Sequence, residues 1–93
     1  MRDPPRIRPS DETLAAQVGD EVVLVHTGTD QIYALNRTGA RVWELLCDGC
    51  DRDEIARRLV QEFEVTPAEV TEQVAELLAS LGARRLIAVD RDD

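Results

Sequence analysis

The fold of this chain is decided by the stretch Gln31-Ile32-Tyr33-Ala34-Leu35-Asn36, where a predicted strand meets the start of a predicted helix. The first five residues are mostly apolar and include neither Pro nor Lys, and Asn36 is a residue type that commonly caps a helix. An edge strand without Pro or Lys has little protection against pairing with another chain. We therefore expect this strand to present an open edge that accepts a strand from another polypeptide.

Two further strands are predicted before this stretch. Residues 13–18 form the first, and residues 22–25 form the run Val-Val-Leu-Val, which is typical of a strand that lies centrally in a sheet or is covered on both faces. Turn signals at residues 19–20 and 27–30 connect the three strands as hairpins. The predicted sheet is an antiparallel meander with residues 22–25 in the middle and Gln31–Leu35 at one edge.

Three helices follow, and each begins at a capping residue. Asn36, Asp51 and Thr66 stand where a side-chain oxygen accepts a hydrogen bond from the first turn of a helix. Gly49 and Gly82 are placed to end the first and third helices, because glycine adopts the backbone conformation that commonly terminates a helix.

The predicted fold class is α+β: a winged helix-turn-helix with an N-terminal three-stranded antiparallel sheet and three helices. A short strand at residues 86–89 follows the third helix and would form the wing. Residues 1–12 are predicted to be a flexible N-terminal tail, because residues 1–10 contain three of the four prolines together with mixed charges. Residues 13–90 are predicted to form one domain.

Composition limits the classes of function. The chain has 93 residues, too few for a deep enclosed active site, and its formal charge is −8 with Arg as its only base apart from His26. Such a surface repels phosphate backbones and anionic lipid, so we expect neither a nucleic-acid partner nor a membrane partner. No long apolar run and no signal-peptide pattern are present, which predicts a cytoplasmic location.

The sequence also resembles a known family. The pattern Leu-Asn-x-x-Gly-Ala-x-Val-Trp at residues 35–43 is similar to the core motif of the PqqD-like family, also called the RiPP recognition element. The likeness continues through Glu54-Ile55-Ala56, Leu59 and residues 63–65, and it covers about residues 13–89. Cys47 and Cys50 are not part of the family pattern.

The resemblance implies a non-catalytic protein that binds the leader segment of a ribosomally synthesised precursor peptide. The leader would add as a strand to the third β-strand, against the third helix, and the bound precursor would be delivered to a leader-cleaving protease or other modifying enzyme. A separate chain of this size is most similar to the leader-binding subunit of lasso-peptide biosynthesis. A PqqD-type peptide chaperone for a radical enzyme in quinone-cofactor synthesis is the alternative. No cofactor is implied.

The predicted peptide-binding residues come from two elements. The strand contributes Gln31, Ile32, Tyr33, Ala34 and Leu35, through β-augmentation. An ordinary edge, covered by the N-terminal tail or by a homodimer partner, is the alternative. The third helix carries an apolar stripe flanked by an acidic side and by a small, uncharged side, and we expect the uncharged side to wall the groove. These helix residues are Thr71, Val74, Ala75 and Leu78.

Charged residues of the third helix argue against a second function, that of a winged-helix DNA-binding regulator. Residues 67–81 contain no Lys or Arg but carry Glu69, Glu72 and Glu76, which oppose contact with phosphates. Glu72 and Glu76 either meet basic leader residues at the rim of the groove or are simply solvated.

No residue pattern predicts catalysis or a metal site. Cys47 and Cys50 have CxxC spacing, but Cys47 lies at a helix C-terminus, where the helix dipole favours the neutral thiol. His26 has no catalytic partner at motif spacing, and Trp43 is predicted to lie in the core. The sequence does not identify the precursor or the receiving enzyme, and it leaves open whether the chain forms a homodimer.

Overall fold

The computed structural model describes residues 6–90 and confirms the α+β class, with three helices and a three-stranded antiparallel sheet. The elements in chain order are β1 (Arg6–Pro9), β2 (Thr13–Val18), β3 (Glu21–His26), β4 (Gln31–Leu35), α1 (Arg37–Cys47), α2 (Arg52–Glu62), α3 (Pro67–Ala83) and β5 (Ile87–Asp90). The description of α2, α3 and β5 as a winged helix-turn-helix stays a prediction.

The larger sheet has the predicted meander order β2-β3-β4. Leu24 of β3 lies opposite Ala15 on one side and Tyr33 on the other, which defines the register of all three strands. The connecting turns use left-handed backbone at Gly19 (φ 63°) and Asp30 (φ 58°). Within residues 6–90, β4 therefore has one sheet neighbour and lies at an edge, as the sequence predicted.

The two faces of this sheet differ in what covers them. The inner face packs on the helices and buries Leu24 and Leu35 at 0% and 2% exposure. The outer face is also apolar, yet Leu14, Val18 and Ile32 are 62%, 61% and 68% exposed. The described part of the chain leaves this outer face uncovered, so β3 is central in the sheet but is covered on one face.

The strand β1 was not predicted. Residues 6–9 lie in the segment expected to be a flexible tail, but they pair antiparallel with β5, and Pro9 lies opposite Ile87. These residues therefore form a strand where none was predicted, while residues 1–5 lie outside the described residues. The pairing partner of this strand is distant in sequence, so local composition did not reveal it. The flexibility expected for residues 1–12 stays a prediction. The hydroxyl of Thr13 also donates to the carbonyl of Leu86 at 2.8 Å.

All three predicted N-caps are confirmed, whereas Gly82, which was expected to end the third helix, lies within α3. The side chain of Asn36 accepts a hydrogen bond from the Gly39 N–H at 2.9 Å, and the side chain of Asp51 accepts one from Glu54 at 2.8 Å. The Thr66 hydroxyl accepts one from the Glu69 N–H at 3.2 Å. Each helix consequently begins at the residue after its cap, which sets where α1 leaves the edge strand.

The helices enclose one core against the inner face of the sheet. Trp43 is 6% exposed, which confirms its predicted place in the core. The largest fully buried side chains are all aliphatic: Leu24, Leu45, Leu46, Ile55, Leu59, Leu81, Leu86, Val42, Val70 and Val74.

No helix among residues 6–90 combines the length and the apolar character needed to cross a membrane.

An ion pair ties α1 to α2. The Arg41 guanidinium donates to both carboxylate oxygens of Glu62, at 2.7 and 3.0 Å, and to Glu44 at 2.8 Å. These hydrogen bonds lower the pKa of the Glu62 carboxyl below its usual value. The pair therefore stabilises the fold above the pKa that Glu62 has in the unfolded chain, and this contribution is lost as the pH falls through the lowered value. Because both side chains lie at the surface and keep contact with water, the contribution of the pair is about 1 kcal/mol or less.

Candidate functional site

The pattern of backbone hydrogen bonds along β3 shows which backbone N–H and C=O groups of β4 face its open edge. Thr27, directly after β3, donates its N–H to the carbonyl of Glu12 at 2.8 Å. Glu12 and Thr27 continue the register in which Thr13 opposes His26. In an antiparallel ladder, opposite residues alternate between hydrogen-bonded and non-hydrogen-bonded pairs. Residues 23 and 25 of β3 therefore also bond to β2. The backbone groups of residues 22, 24 and 26 are directed to the other side of β3, where they bond to β4.

The pairing partners of residues 22, 24 and 26 are Leu35, Tyr33 and Gln31, so these three bond to β3. Ile32 and Ala34 consequently direct their N–H and C=O groups away from β3, toward the open edge. The edge thus offers two donors and two acceptors that another strand can satisfy.

A cavity of about 460 Å³ lies beside this edge. Residues of β4, the first half of α1, one residue of α2 and one face of α3 form its walls. They are Tyr33, Ala34, Leu35, Asn36, Thr38, Gly39, Val42, Leu59, Gln73, Val74, Glu76, Leu77 and Ser80. We call this cavity the β4–α3 groove. Gln31 and Ile32, at the start of the strand, are exposed and lie outside this lining.

The α3 wall of the β4–α3 groove differs from the predicted wall. Of the four predicted residues, Val74 lines the groove, whereas Leu78 is buried in the core with 4% exposure and Ala75 is half-buried outside the lining. Thr71 lines a separate cavity of about 410 Å³ together with α2 residues such as Val60. At Thr71 the uncharged flank of α3 therefore faces α2, and the role of Thr71, Ala75 and Leu78 in peptide binding stays a prediction.

Of the four α3 side chains that line the groove besides Val74, the sequence indicated Glu76 as one candidate for the rim and did not indicate the other three. All four come from the other flank of the apolar stripe and comprise Gln73, Glu76, Leu77 and Ser80. Their spacing of three to four residues places them on one helical face, which is a signal present in the sequence. The small, uncharged flank is the better wall for an apolar peptide side chain, and for this reason the sequence favoured that flank over the acidic one.

The start of α1 approaches β4 closely. A Cβ added at Gly39 would lie 3.3 Å from both Cβ and Cδ2 of Leu35, which is tighter than ordinary van der Waals contact. Gly39 also donates its N–H to the Asn36 cap, so the same residue shapes the groove and begins the helix. The floor of the groove thus depends on a small residue at this position.

His26 has a structural role in the turn before β4. It is 4% exposed, and its Nδ1 accepts hydrogen bonds from the N–H groups of Gly28 and Thr29 at 3.2 and 3.1 Å. Its Nε2 lies 3.4 Å from a carboxylate oxygen of Glu12. Because Nδ1 accepts, the proton of the neutral ring is on Nε2 and faces Glu12.

Within the described part of the chain, no group of three or more His, Cys, Asp or Glu side chains could hold a metal ion.

The two cysteines are free thiols, with Cys47 exposed and Cys50 buried. Neighbouring protein atoms remove part of the water around the Cys47 sulfur, which raises the pKa of its thiol, and the nearby carboxylates of Asp48 and Glu44 raise it further. Since the thiolate is the nucleophile in redox and alkylation chemistry, this environment opposes reactivity at neutral pH.

We predict that iodoacetamide alkylates Cys47 with a pH midpoint above about 8.5, the value of an unperturbed cysteine. Mass spectrometry of the native protein across a pH series measures this midpoint, and a Cys47→Ser variant identifies the labelled site. An alkylation midpoint at a lower pH than that of free cysteine would contradict the structure and would favour a redox role for the CxxC pair.

These features define the class: a small α+β domain whose open strand edge borders a groove on a helix. The sequence profile described as coenzyme PQQ synthesis protein D (PqqD) matches residues 21–87. The chain belongs to the PqqD family, and the resemblance noted in the sequence is confirmed.

Two solved structures share this fold. TbiB1, solved in complex with the TbiA(beta) leader peptide, is 30% identical, with a TM-score of 0.85, over 91% of this chain and 99% of TbiB1. A lasso peptide synthetase B1, complexed with the leader peptide, is 26% identical, with a TM-score of 0.82, over 89% of this chain and 98% of that protein. No curated protein sequence matches this chain significantly.

Proposed function

We propose that this protein binds the leader segment of a ribosomally synthesised precursor peptide by strand addition to β4, and that it delivers the precursor to a processing protease or other modifying enzyme. The observation that carries the proposal is the open edge at Ile32 and Ala34, directly beside the β4–α3 groove. Main-chain bonds at the edge would give affinity, and the groove would select side chains.

The structural neighbours support a lasso peptide as the product. One of them is a lasso peptide synthetase B1, both were solved with a leader peptide, and both match this chain over nearly their whole length. The family profile itself describes a protein of coenzyme PQQ synthesis, which supports the PqqD-type peptide chaperone as a second candidate. The two candidates share the binding mode and differ in the enzyme that receives the peptide.

The edge alone is not sufficient for tight binding. Four hydrogen bonds at about 1 kcal/mol each give about 4 kcal/mol, which corresponds to a dissociation constant of about 1 mM. Micromolar affinity therefore requires side chains of the leader to enter the groove. Its apolar surface comes partly from Leu35, Val74 and Leu77.

The outer face of the sheet supports the delivery step. Leu14, Val25 and Ile32 lie opposite one another across the three strands and form an apolar row on the uncovered face. A leader strand added to β4 would extend this face without covering it. An exposed apolar surface of this kind is typical of a protein–protein contact, and here it would lie beside the bound precursor.

The binding step is tested by fluorescence polarisation with the labelled leader peptide of the precursor encoded beside this gene. We expect saturable binding at micromolar or lower concentration, with little dependence on salt, and no binding of a scrambled leader. Duplex DNA is titrated in parallel. Salt-sensitive binding of the duplex without binding of the leader would overturn the proposal and favour a DNA regulator.

The delivery step makes a separate prediction for the outer face. Leu14→Arg is expected to leave leader affinity unchanged but to slow leader processing about tenfold, because the charge disrupts an apolar contact. Processing by the protease or modifying enzyme encoded beside this gene is followed by mass spectrometry. Gln17→Arg, on the opposite face of β2, is the matched control. Equal processing rates for the two variants would show that the outer face is not the contact.

A further inference from the structure

We propose that the β4–α3 groove selects its peptide by charge: a basic leader side chain lies at Glu76, and an acidic one lies at Arg84. This inference rests on the proposed function, and it adds the class of leader that the site accepts. Glu76 of α3 and Arg84, the residue directly after α3, carry the proposal, and each has an observation of its own.

Glu76 is the acidic residue of the groove lining, and it is exposed. Among residues 6–90, the ion pairs formed by Arg and His side chains involve Asp11, Glu12, Glu44 and Glu62 but not Glu76. Its carboxylate is therefore available to a cation that enters the groove. Glu72, one turn earlier on α3, is also exposed but lies outside the groove lining.

Arg84 provides a cation at the C-terminal end of α3. Its guanidinium carbon lies 4.8 Å from the centre of the Tyr33 ring, and Tyr33 lines the groove from the β4 side. The stacking holds the planar group over the strand that would pair with the leader, while the donors at its edge stay accessible. No carboxylate within the described residues pairs with Arg84.

The spacing of these two charges suits an extended peptide. Eight residues of helix separate Glu76 from Arg84, which is about 12 Å along α3. In a strand that runs along α3, residues four apart lie about 13 Å from each other on the same face. A leader with a basic and an acidic residue at this spacing would satisfy both positions, whereas the reversed order would bring like charges together. The charge order therefore fixes the direction of the bound strand.

The first test compares Glu76→Arg with Glu72→Arg, by fluorescence polarisation with the same labelled leader peptide. Both changes add two units of positive charge to the same face of α3, so they alter long-range electrostatics alike. We expect Glu76→Arg to weaken binding about five- to tenfold and Glu72→Arg to change it less than twofold. Circular dichroism confirms that both variants are folded. Equal affinities for the two variants would overturn the inference.

The second test measures leader affinity in two comparisons. One compares the protein variants Arg84→Glu and Arg85→Glu. The other uses leader peptides in which each Lys or Arg is replaced singly by Glu. One such peptide should bind Glu76→Arg more tightly than it binds the wild-type protein, which identifies the side chain at Glu76. Arg84→Glu should weaken binding more than Arg85→Glu.

The two proposals fail in different ways. If the wild-type protein does not bind the leader, the proposed function is wrong. If it binds but no charge-swapped peptide recovers affinity for Glu76→Arg, or if the bound leader segment has no basic residue, the charge selection is wrong and leader binding stands.

Discussion

Replacement of Ile32 by proline is expected to weaken leader binding at least tenfold while the domain stays folded. The N–H of Ile32 is directed to the open edge of β4, so its loss removes a donor for the leader without removing a bond to β3. The proline ring also occupies space at the edge where the leader strand would approach. One lost hydrogen bond accounts for about 1 kcal/mol, and the steric effect adds to it. Fluorescence polarisation with the labelled leader measures the change.

Two matched variants make this test specific. Ile32→Thr keeps the N–H and changes the same outer-face side chain, so it should bind the leader nearly as well as wild type. Tyr33→Pro removes an N–H that bonds to β3, and it should unfold or strongly destabilise the sheet. If Ile32→Pro is folded and binds the leader with unchanged affinity, the peptide does not add to this edge.

Replacement of Leu24 by alanine is expected to destabilise the protein by about 2–5 kcal/mol. Leu24 is 0% exposed, in the centre of β3 and against the helices, so truncation leaves a cavity that the surrounding side chains fill only partly. For a domain of this size each kcal/mol lowers the melting temperature by about 4–8 °C. Chemical denaturation with circular dichroism measures the loss directly.

The neighbouring residue provides the control. Val25 is half-buried on the outer face of the same strand, so Val25→Ala should cost about 1 kcal/mol or less. A similar large loss for both variants would mean that the outer face is covered in solution, for example by a second copy of the chain. Sedimentation of the wild-type protein would then show a dimer.

Several parts of the fold follow from local sequence. Asn36, Asp51 and Thr66 each cap a helix through a hydrogen bond that spans three residues, so the signal and its partner lie in one short segment. The tight turns force consecutive strands to pair, which places β4 at the edge of the meander. For these reasons the three-stranded sheet, the three helices and the open edge were predictable.

Other parts depend on pairing or packing between distant segments. Residues 6–9 form β1 because β5 lies beside them, and nothing in their own composition indicates a strand. The exposure of the outer face was not predictable from the sequence either, because a run of valines has the same appearance whether one face or both faces of the strand are covered.

The candidate site shows the same division. The sequence by itself determined that β4 is an edge strand and that α3 carries an apolar stripe, because hydrophobic periodicity and capping are local properties of the chain. It did not determine which flank of that stripe borders β4. That choice depends on the rotation of α3 about its axis, which is set when Val74, Leu78 and Leu81 pack into a core shared with the sheet and the other helices. Only the tertiary structure therefore placed Glu76 in the groove and Thr71 outside it.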